Sequence, residues 1–426
     1  MQASAGLAFY LVWLNAVPLE GVLLPSWADP NHFTWFMGAH VFALWICPYL
    51  PSAFLAPVMR YGFILLGGLS LSLHVIPSYT SPLFLAMGLL AAPLVFHALV
   101  GLKRAKEPLI SAGVSLMVGN TLPHLLHLAP LSTALKLGAI SVLLCTAGLF
   151  LSPAEDSLGE GAHGKKASDE PKRRIWVVYL FLAVFYVTGG ILHGYLFPKL
   201  ISSGGAIYHY VGIYLMMVGL GILILRRSHD FGIYVSVILG VVCFSLVVFD
   251  GRLLRHLCMG FSYASFGVFD LLVIALVVSP ERQPPEGFRI MGSMCGGILV
   301  GALLVGWFEA FLPVVLVAAH VVLVGTLALF YHFKVLSMEK RRVQESADES
   351  LEYLATLIPK PFLKRISEKE KRVLTLVVQG CTYKEVASKE SISESTVKTH
   401  MQRLFVKFEC HSRKELLEKI HSSTVC

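Results

Sequence analysis

Twelve stretches of about 20 mostly apolar residues occupy the first 333 positions, at roughly 5–24, 33–55, 59–77, 82–102, 108–128, 131–152, 175–197, 204–225, 231–249, 257–279, 289–309 and 311–333. A helix of about 20 such residues spans the hydrocarbon core of a bilayer. An ordinary soluble fold is excluded for most of the chain. Only 15% of its residues are charged, against about 25% in soluble domains, and the deficit lies before residue 334. Most connections are very short, which makes consecutive spans antiparallel neighbours. The expected fold class is all-α: a polytopic membrane helix bundle followed by a small soluble tail.

One break is long. Residues 153–174, PAEDSLGEGAHGKKASDEPKRR, are polar, rich in Gly and Ser, and charged with both signs. That composition makes a flexible linker, and it divides the spans six and six. The expected organisation is a first membrane half (1–152), the linker (153–174), a second membrane half (175–333), a connector (334–365) and a C-terminal domain (366–426). With a cytoplasmic tail, twelve spans put the N-terminus inside as well. The inner connections then hold Arg60, Lys103, Arg104, Lys106, the cations of the linker, Arg226, Arg227, Arg282 and Arg289. The outer connections hold only Lys199, Arg252 and Arg255. This asymmetry agrees with the positive-inside rule. No basic n-region precedes the first apolar stretch, so no cleavable signal peptide is expected.

The tail has a different grammar. From Lys334 onward there are 18 Lys/Arg against 13 Asp/Glu, a basic balance that suits nucleic acid or an anionic membrane surface. Four segments open with capping signals: Ser367 with Glu370, Thr382 with Glu385, Ser393 with Thr396, and Ser412 with Glu415. In the three that carry a glutamate, a hydroxyl and a carboxylate satisfy orphan amides of the first turn. Apolar residues recur between the caps at helical spacing, as in Val397, Met401, Leu404 and Phe408. Gly380 ends the first segment at a position that favours glycine. Two short helices joined around Ser391 and Ile392 make a helix-turn-helix, whose later helix enters the major groove. Its solvent side carries Thr396, Lys398, Thr399, Gln402, Arg403 and Lys407.

Residues 366–421 resemble the LuxR/FixJ-type helix-turn-helix of bacterial transcription regulators. The carrying residues are Ile366 through Leu374, Gly380 through Ala387, Ile392 through His400, Lys407-Phe408, and Ser412 through Glu415. Glu390 stands where that pattern usually has Leu, and Arg372 where Glu is common. The resemblance implies double-stranded DNA as partner, Lys398, Thr399 and Gln402 as reading positions, and Lys384 and Thr396 as backbone contacts. It also implies a homodimer on DNA, paired through the last helix. The six-plus-six membrane part resembles the major facilitator superfamily in architecture. Together they resemble bacterial membrane-bound regulators, which implies a cytoplasmic-membrane location.

Ionisable groups inside spans are costly and mark function by default. Glu20, His40, His74, His124, His127, His193, His209 and Glu309 fall in the outer half of their spans, while Asp270, His97 and His320 lie deeper or nearer the inner side. The outer set, drawn from both halves, is expected to line a cavity for a small-molecule signal. Trp13, Trp35, Tyr208, Tyr210 and Trp307 would stack on a planar ligand. The plainer reading has each histidine bonded to a neighbouring helix or headgroup. His124 and His127 are the only close histidine pair, too little for a metal site. No metal and no cofactor is expected, and no P-loop, GxSxG, HExxH or kinase signature marks an enzyme. The eight cysteines show no CxxC spacing and are expected as small core residues. The connector up to Ile358 reads equally as a stiff helix or a solvated tether, and Pro359 and Pro361 break it. Three functions remain: a sensor that regulates transcription, a transporter with a reporting DNA-binding tail, and a transporter with a scaffolding tail.

Overall fold

The computed structural model describes residues 2–24, 31–76, 79–151, 173–202, 208–247, 249, 251–279, 283–332, 365–390 and 392–422. Apart from Arg173, Arg174 and Arg365, the linker and the connector lie outside these. The chain divides into two compact units, Met1–Phe330 and Tyr331–Cys426.

The membrane unit contains α1 (Gln2–Leu14), α2 (His32–Ile46), α3 (Ser52–Val75), α4 (Thr80–Lys103), α5 (Pro108–Leu128) and α6 (Thr133–Phe150). After the linker come α7 (Arg173–Ser202), α8 (Tyr208–Arg227), α9 (His229–Val247), α10 (Arg252–Val277) and α11 (Pro284–Trp307). The last is α12 (Glu309–His332), which opens with a 3-10 turn. Ten of these are long and apolar enough to cross a membrane. The first two are shorter.

Two departures from the expected spans have a common cause. The run 33–55 is broken: α2 stops at Ile46, a 3-10 turn holds Cys47–Tyr49, and α3 starts at Ser52. Pro48 and Pro51 lack the amide hydrogens that a continuous helix needs. Likewise α1 widens into a π turn over Asn15–Leu19, which contains Pro18. The Glu20 amide there donates five residues back, to the Asn15 carbonyl at 3.1 Å. The tenth span also starts earlier than expected, at Arg252, so Arg252 and Arg255 occupy its first turn.

Packing repeats with a period of six helices. α1 packs on α5 as α7 packs on α11, and α2 on α4 as α8 on α10. The halves meet through α2 with α11 and α5 with α8, pairs that exchange when six is added or subtracted. Backbones come close at α7–α11: a Cβ on Gly301 would lie 2.2 Å from the Val187 carbonyl oxygen, and one on Gly190 2.3 Å from that of Ile298. Small residues at helix contacts permit such an approach in membranes. The peripheral helices α3, α6, α9 and α12 expose large apolar side chains, among them Ile64, Val142, Ile238 and Val321.

The second unit has its own core. α13 (Glu368–Val378), α14 (Tyr383–Glu390) and α16 (Arg413–Ser422) surround α15 (Glu394–Phe408). Val397, Met401, Leu404 and Phe408 form the buried stripe of α15, and each such side chain contributes about 1.5–3 kcal/mol on burial. Ser367 and Glu370 make the reciprocal capping box, as do Thr382 and Glu385, the Thr382 amide lying 2.7 Å from Glu385 Oε2. Gly380, at φ 90°, closes α13. The Gly380 amide donates to Val377 and the Cys381 amide to Leu376, the paired bonds of a Schellman motif.

Candidate central cavity and nucleic-acid interface

A cavity of about 250 Å³ lies between the two membrane halves. Its walls come from α1, α2, α4, α5, α7, α8, α10 and α11, together with the π turn after α1, and among the described residues none from α3, α6, α9 or α12 lines it. The π turn delivers Asn15, Leu19 and Glu20 to it. Such turns recur at functional sites because they re-aim side chains without ending a helix.

Two of the eight expected ligand residues, Glu20 and His40, line this cavity. The His40 Nδ1 lies 3.2 Å from the Gly88 carbonyl oxygen, so that nitrogen carries the hydrogen and donates. Its ring stacks on Phe36 at 5.4 Å. His124 lies behind the wall, with Nε2 3.5 Å from Glu20 Oε2. His127 Nδ1 donates to the Val22 carbonyl at 2.8 Å. His74 on α3, His209 at the start of α8 and Glu309 on α12 are exposed and do not line the cavity. The His193 side chain lies outside the described residues.

The aromatic lining also differs from the expected one. Trp13 is buried and donates to Ser70 Oγ at 2.8 Å, Trp35 and Trp307 are exposed, and Tyr210 bonds His256. The Tyr208 side chain lies outside the described residues. Phe33, Phe36, Tyr186, Tyr214 and Phe266 line the cavity instead. Sequence reasoning placed Asp270 apart from the candidate set, yet it lines the cavity. The Tyr186 hydroxyl donates to Asp270 Oδ1 at 2.6 Å and the Tyr214 hydroxyl to Oδ2 at 2.9 Å. The available signal was a carboxylate within an apolar span.

At the end of the bundle that carries Lys103, Arg104 and Arg226, two polar contacts join the halves. Arg226 pairs with Glu107 at 3.1 Å, and Arg289 donates to the Tyr49 hydroxyl at 3.3 Å. These contacts sit at equivalent places in the two interfaces, one at α8–α5 and the other at α2–α11.

On the second unit, α15 presents Lys398, Thr399, Gln402 and Arg403 to solvent, and Lys384 on α14 is exposed as well. Thr396 is half-buried, its hydroxyl 2.8 Å from Ser393 Oγ and its amide bonded to the same cap. Lys398 is paired only loosely, with exposed Glu394 at 3.1 Å. The expected contact Lys407 is placed differently: its Nζ lies 2.6 Å from buried Glu370 Oε2. Burial alone would raise the Glu370 carboxyl, but hydrogen bonds from Lys407 and Ser367 outweigh it and hold the group below its ordinary value. The Thr382 amide and hydroxyl lower exposed Glu385 similarly. Arg413 donates to the carbonyls of Val377 and Cys381, and its guanidinium lies over the Tyr383 ring.

Residues 364–419 match the bacterial regulatory proteins of the luxR family. The C-terminal unit is a luxR-family domain. Its helix-turn-helix, formed by α14 and α15, is a DNA-binding element. No curated protein matches the chain in sequence. Among solved structures, the membrane part is similar to the human organic anion transporter MFSD10, with TM-score 0.54 and 12% identity over 77% of this chain and 96% of that one. It is also similar to the nucleoside transporter NupG, with TM-score 0.51 and 14% identity over 77% and 97%. The likeness is one of fold: a multi-pass membrane bundle, similar in fold to these transporters, precedes the luxR-family domain.

Proposed function

We propose that this chain is a membrane-bound one-component transcription regulator, in which a small molecule in the central cavity controls promoter binding by the luxR-family domain. The observation that carries the reading is the joining, in one chain, of an exposed DNA-reading face on α15 to a membrane bundle with a cavity between its halves. A ligand that touches both halves shifts their equilibrium by its differential affinity for the two arrangements. The contacts Arg226–Glu107 and Arg289–Tyr49 span the same interfaces and would break or form with that shift. The charge asymmetry of the connections supports a cytoplasmic tail in the inner membrane. Paired domains would read a two-fold-related site. The action is binding, without a catalytic step.

The test is a transcript profile of cells that express the full chain against a Lys398→Ala/Gln402→Ala variant. Genes that respond only to the intact reading face support regulation. Identical profiles contradict it.

The fold also favours a second reading, a transporter whose tail reports on substrate, because every described lining residue comes from the eight inner helices or the π turn after α1. Accumulation of a labelled solute in vesicles that contain the protein separates the two.

A further inference from the structure

The chemistry of the cavity selects a class of ligand. Two carboxylates, Glu20 from the first half and Asp270 from the second, line it, and among the described residues no lysine or arginine does. Among the described residues, the donors to Asp270 are neutral, the hydroxyls of Tyr186 and Tyr214. A carboxylate offers about four acceptor sites, so two tyrosines leave room for further N–H donors. A charge taken out of water needs a partner of opposite sign. The bond of His40 runs from Nδ1 to the Gly88 carbonyl and not to Asp270.

Around these carboxylates the walls are aromatic and aliphatic. Phe33, Phe36, Phe266 and Tyr186 contribute rings, and ring faces attract cations. The size is restrictive. About 250 Å³ is less than the ~300–1,000 Å³ of drug-sized sites and under twice the ~150 Å³ cavity that admits benzene. Gly189 sets one wall: a Cβ there would stand 2.2 Å from Phe266 Cζ, so a side chain at 189 drives the Phe266 ring away from its place.

We infer that the cavity binds a small organic ammonium with a one- or two-ring aromatic body, its N–H groups donating to Asp270 and its ring lying among Phe36 and Phe266. The inference rests on the cavity being the signal site. The ligand would touch both halves, with Asp270 and Phe266 on one side and Phe36 on the other, while Glu20 faces His124 Nε2 at 3.5 Å.

The experiment uses the purified full-length protein in nanodiscs, with binding followed by calorimetry and by thermal shift. The probes are 2-phenylethylammonium and tryptammonium, compared with neutral 2-phenylethanol and anionic 3-phenylpropanoate. The expected result is saturable binding of at least one ammonium, at least tenfold tighter than the alcohol or the carboxylate. Asp270→Asn should abolish this preference, and Gly189→Ala should weaken binding of the two-ring probe more than of the one-ring probe. A Tyr214→Phe variant guards against a folding defect in Asp270→Asn: it keeps the carboxylate and should keep the preference for cations. Equal or tighter binding of the carboxylate, no binding of either ammonium, or an unchanged preference in a folded Asp270→Asn protein overturns the inference. Its failure is separable from that of the regulator reading. DNA occupancy that depends on Lys398 with no ammonium binding leaves the regulator and removes the ligand class. Asp270-dependent ammonium binding without DNA occupancy does the reverse.

Discussion

Lys407 Nζ lies 2.6 Å from Glu370 Oε2, so α15 is tied by charge to the first helix of its own domain. Glu370 is itself the capping-box carboxylate of that helix, and its side chain is 3% exposed while that of Lys407 is 34% exposed. Removing the lysine leaves a buried carboxylate without its cation. Lys407→Ala should therefore destabilise the domain by about 1–3 kcal/mol, between the ranges for exposed and buried pairs. Denaturant melts of residues 360–426 measure this. The salt dependence of DNA affinity should change little, since Lys407 is spent on Glu370.

The same pair sets a pH dependence. Glu370 is held below its ordinary value of 4.5. A depressed carboxylate stabilises the fold fully above its unfolded value and loses that contribution as pH falls through its folded value. The domain should thus lose stability on acidification below about pH 4.5, and Glu370→Gln should flatten that limb while lowering stability at neutral pH. Thermal melts between pH 3 and pH 7 check both.

Two left-handed positions should respond with opposite signs. Gly380 has φ 90° and Glu409 has φ 51°, a region costly for side chains. Gly380→Ala should cost about 1 kcal/mol from backbone strain alone, because a Cβ there meets nothing within 4 Å. Glu409→Gly should gain up to about 1 kcal/mol. The bonds that Lys419 makes to the carbonyls of Phe408 and Glu409 use backbone oxygens and survive the change.

On the reading face, roles should divide by contact type. Lys398→Ala and Gln402→Ala should each cost about 1–3 kcal/mol in specific affinity and relax discrimination at one position. Lys384→Ala should weaken binding evenly across sequences and reduce the salt slope by about one. Titration of several DNA sites at two salt concentrations separates these outcomes.

In the membrane unit, Gly301→Ala places a Cβ 2.2 Å from the Val187 carbonyl oxygen, and backbone cannot move aside cheaply. The variant should be destabilised by about 1–3 kcal/mol, read as a lower melting temperature in detergent. Gly306→Ala on the same helix meets nothing within 4 Å and should be neutral or slightly stabilising.

Much of the fold was legible because lipid demands it. Apolar length located twelve helical segments. In the tail, Ser367, Thr382, Ser393 and Ser412 marked helix starts because caps are local chemistry. Hydropathy could not show the break at Pro48 and Pro51 or the π turn at Pro18, since an apolar run looks the same whether continuous or kinked. The cavity was half legible. Glu20 and His40 stood out by charge, but Tyr186 and Tyr214 resemble core aromatics until Asp270 is placed between them. His74 and Glu309 misled because depth in a span says nothing of whether its helix is inner or peripheral. The pairing of Lys407 was not legible either, because exposure on a helical wheel does not reveal a partner 37 residues away.

The most direct test of the central claim is sequencing of DNA crosslinked in living cells to the full-length, membrane-embedded protein, with the Lys398→Ala/Gln402→Ala variant in parallel. A small set of enriched promoter sites, sharing a two-fold-related sequence, is expected, and these sites should disappear in the variant. Recovery of no specific DNA, or of the same sites with both proteins, would contradict the claim.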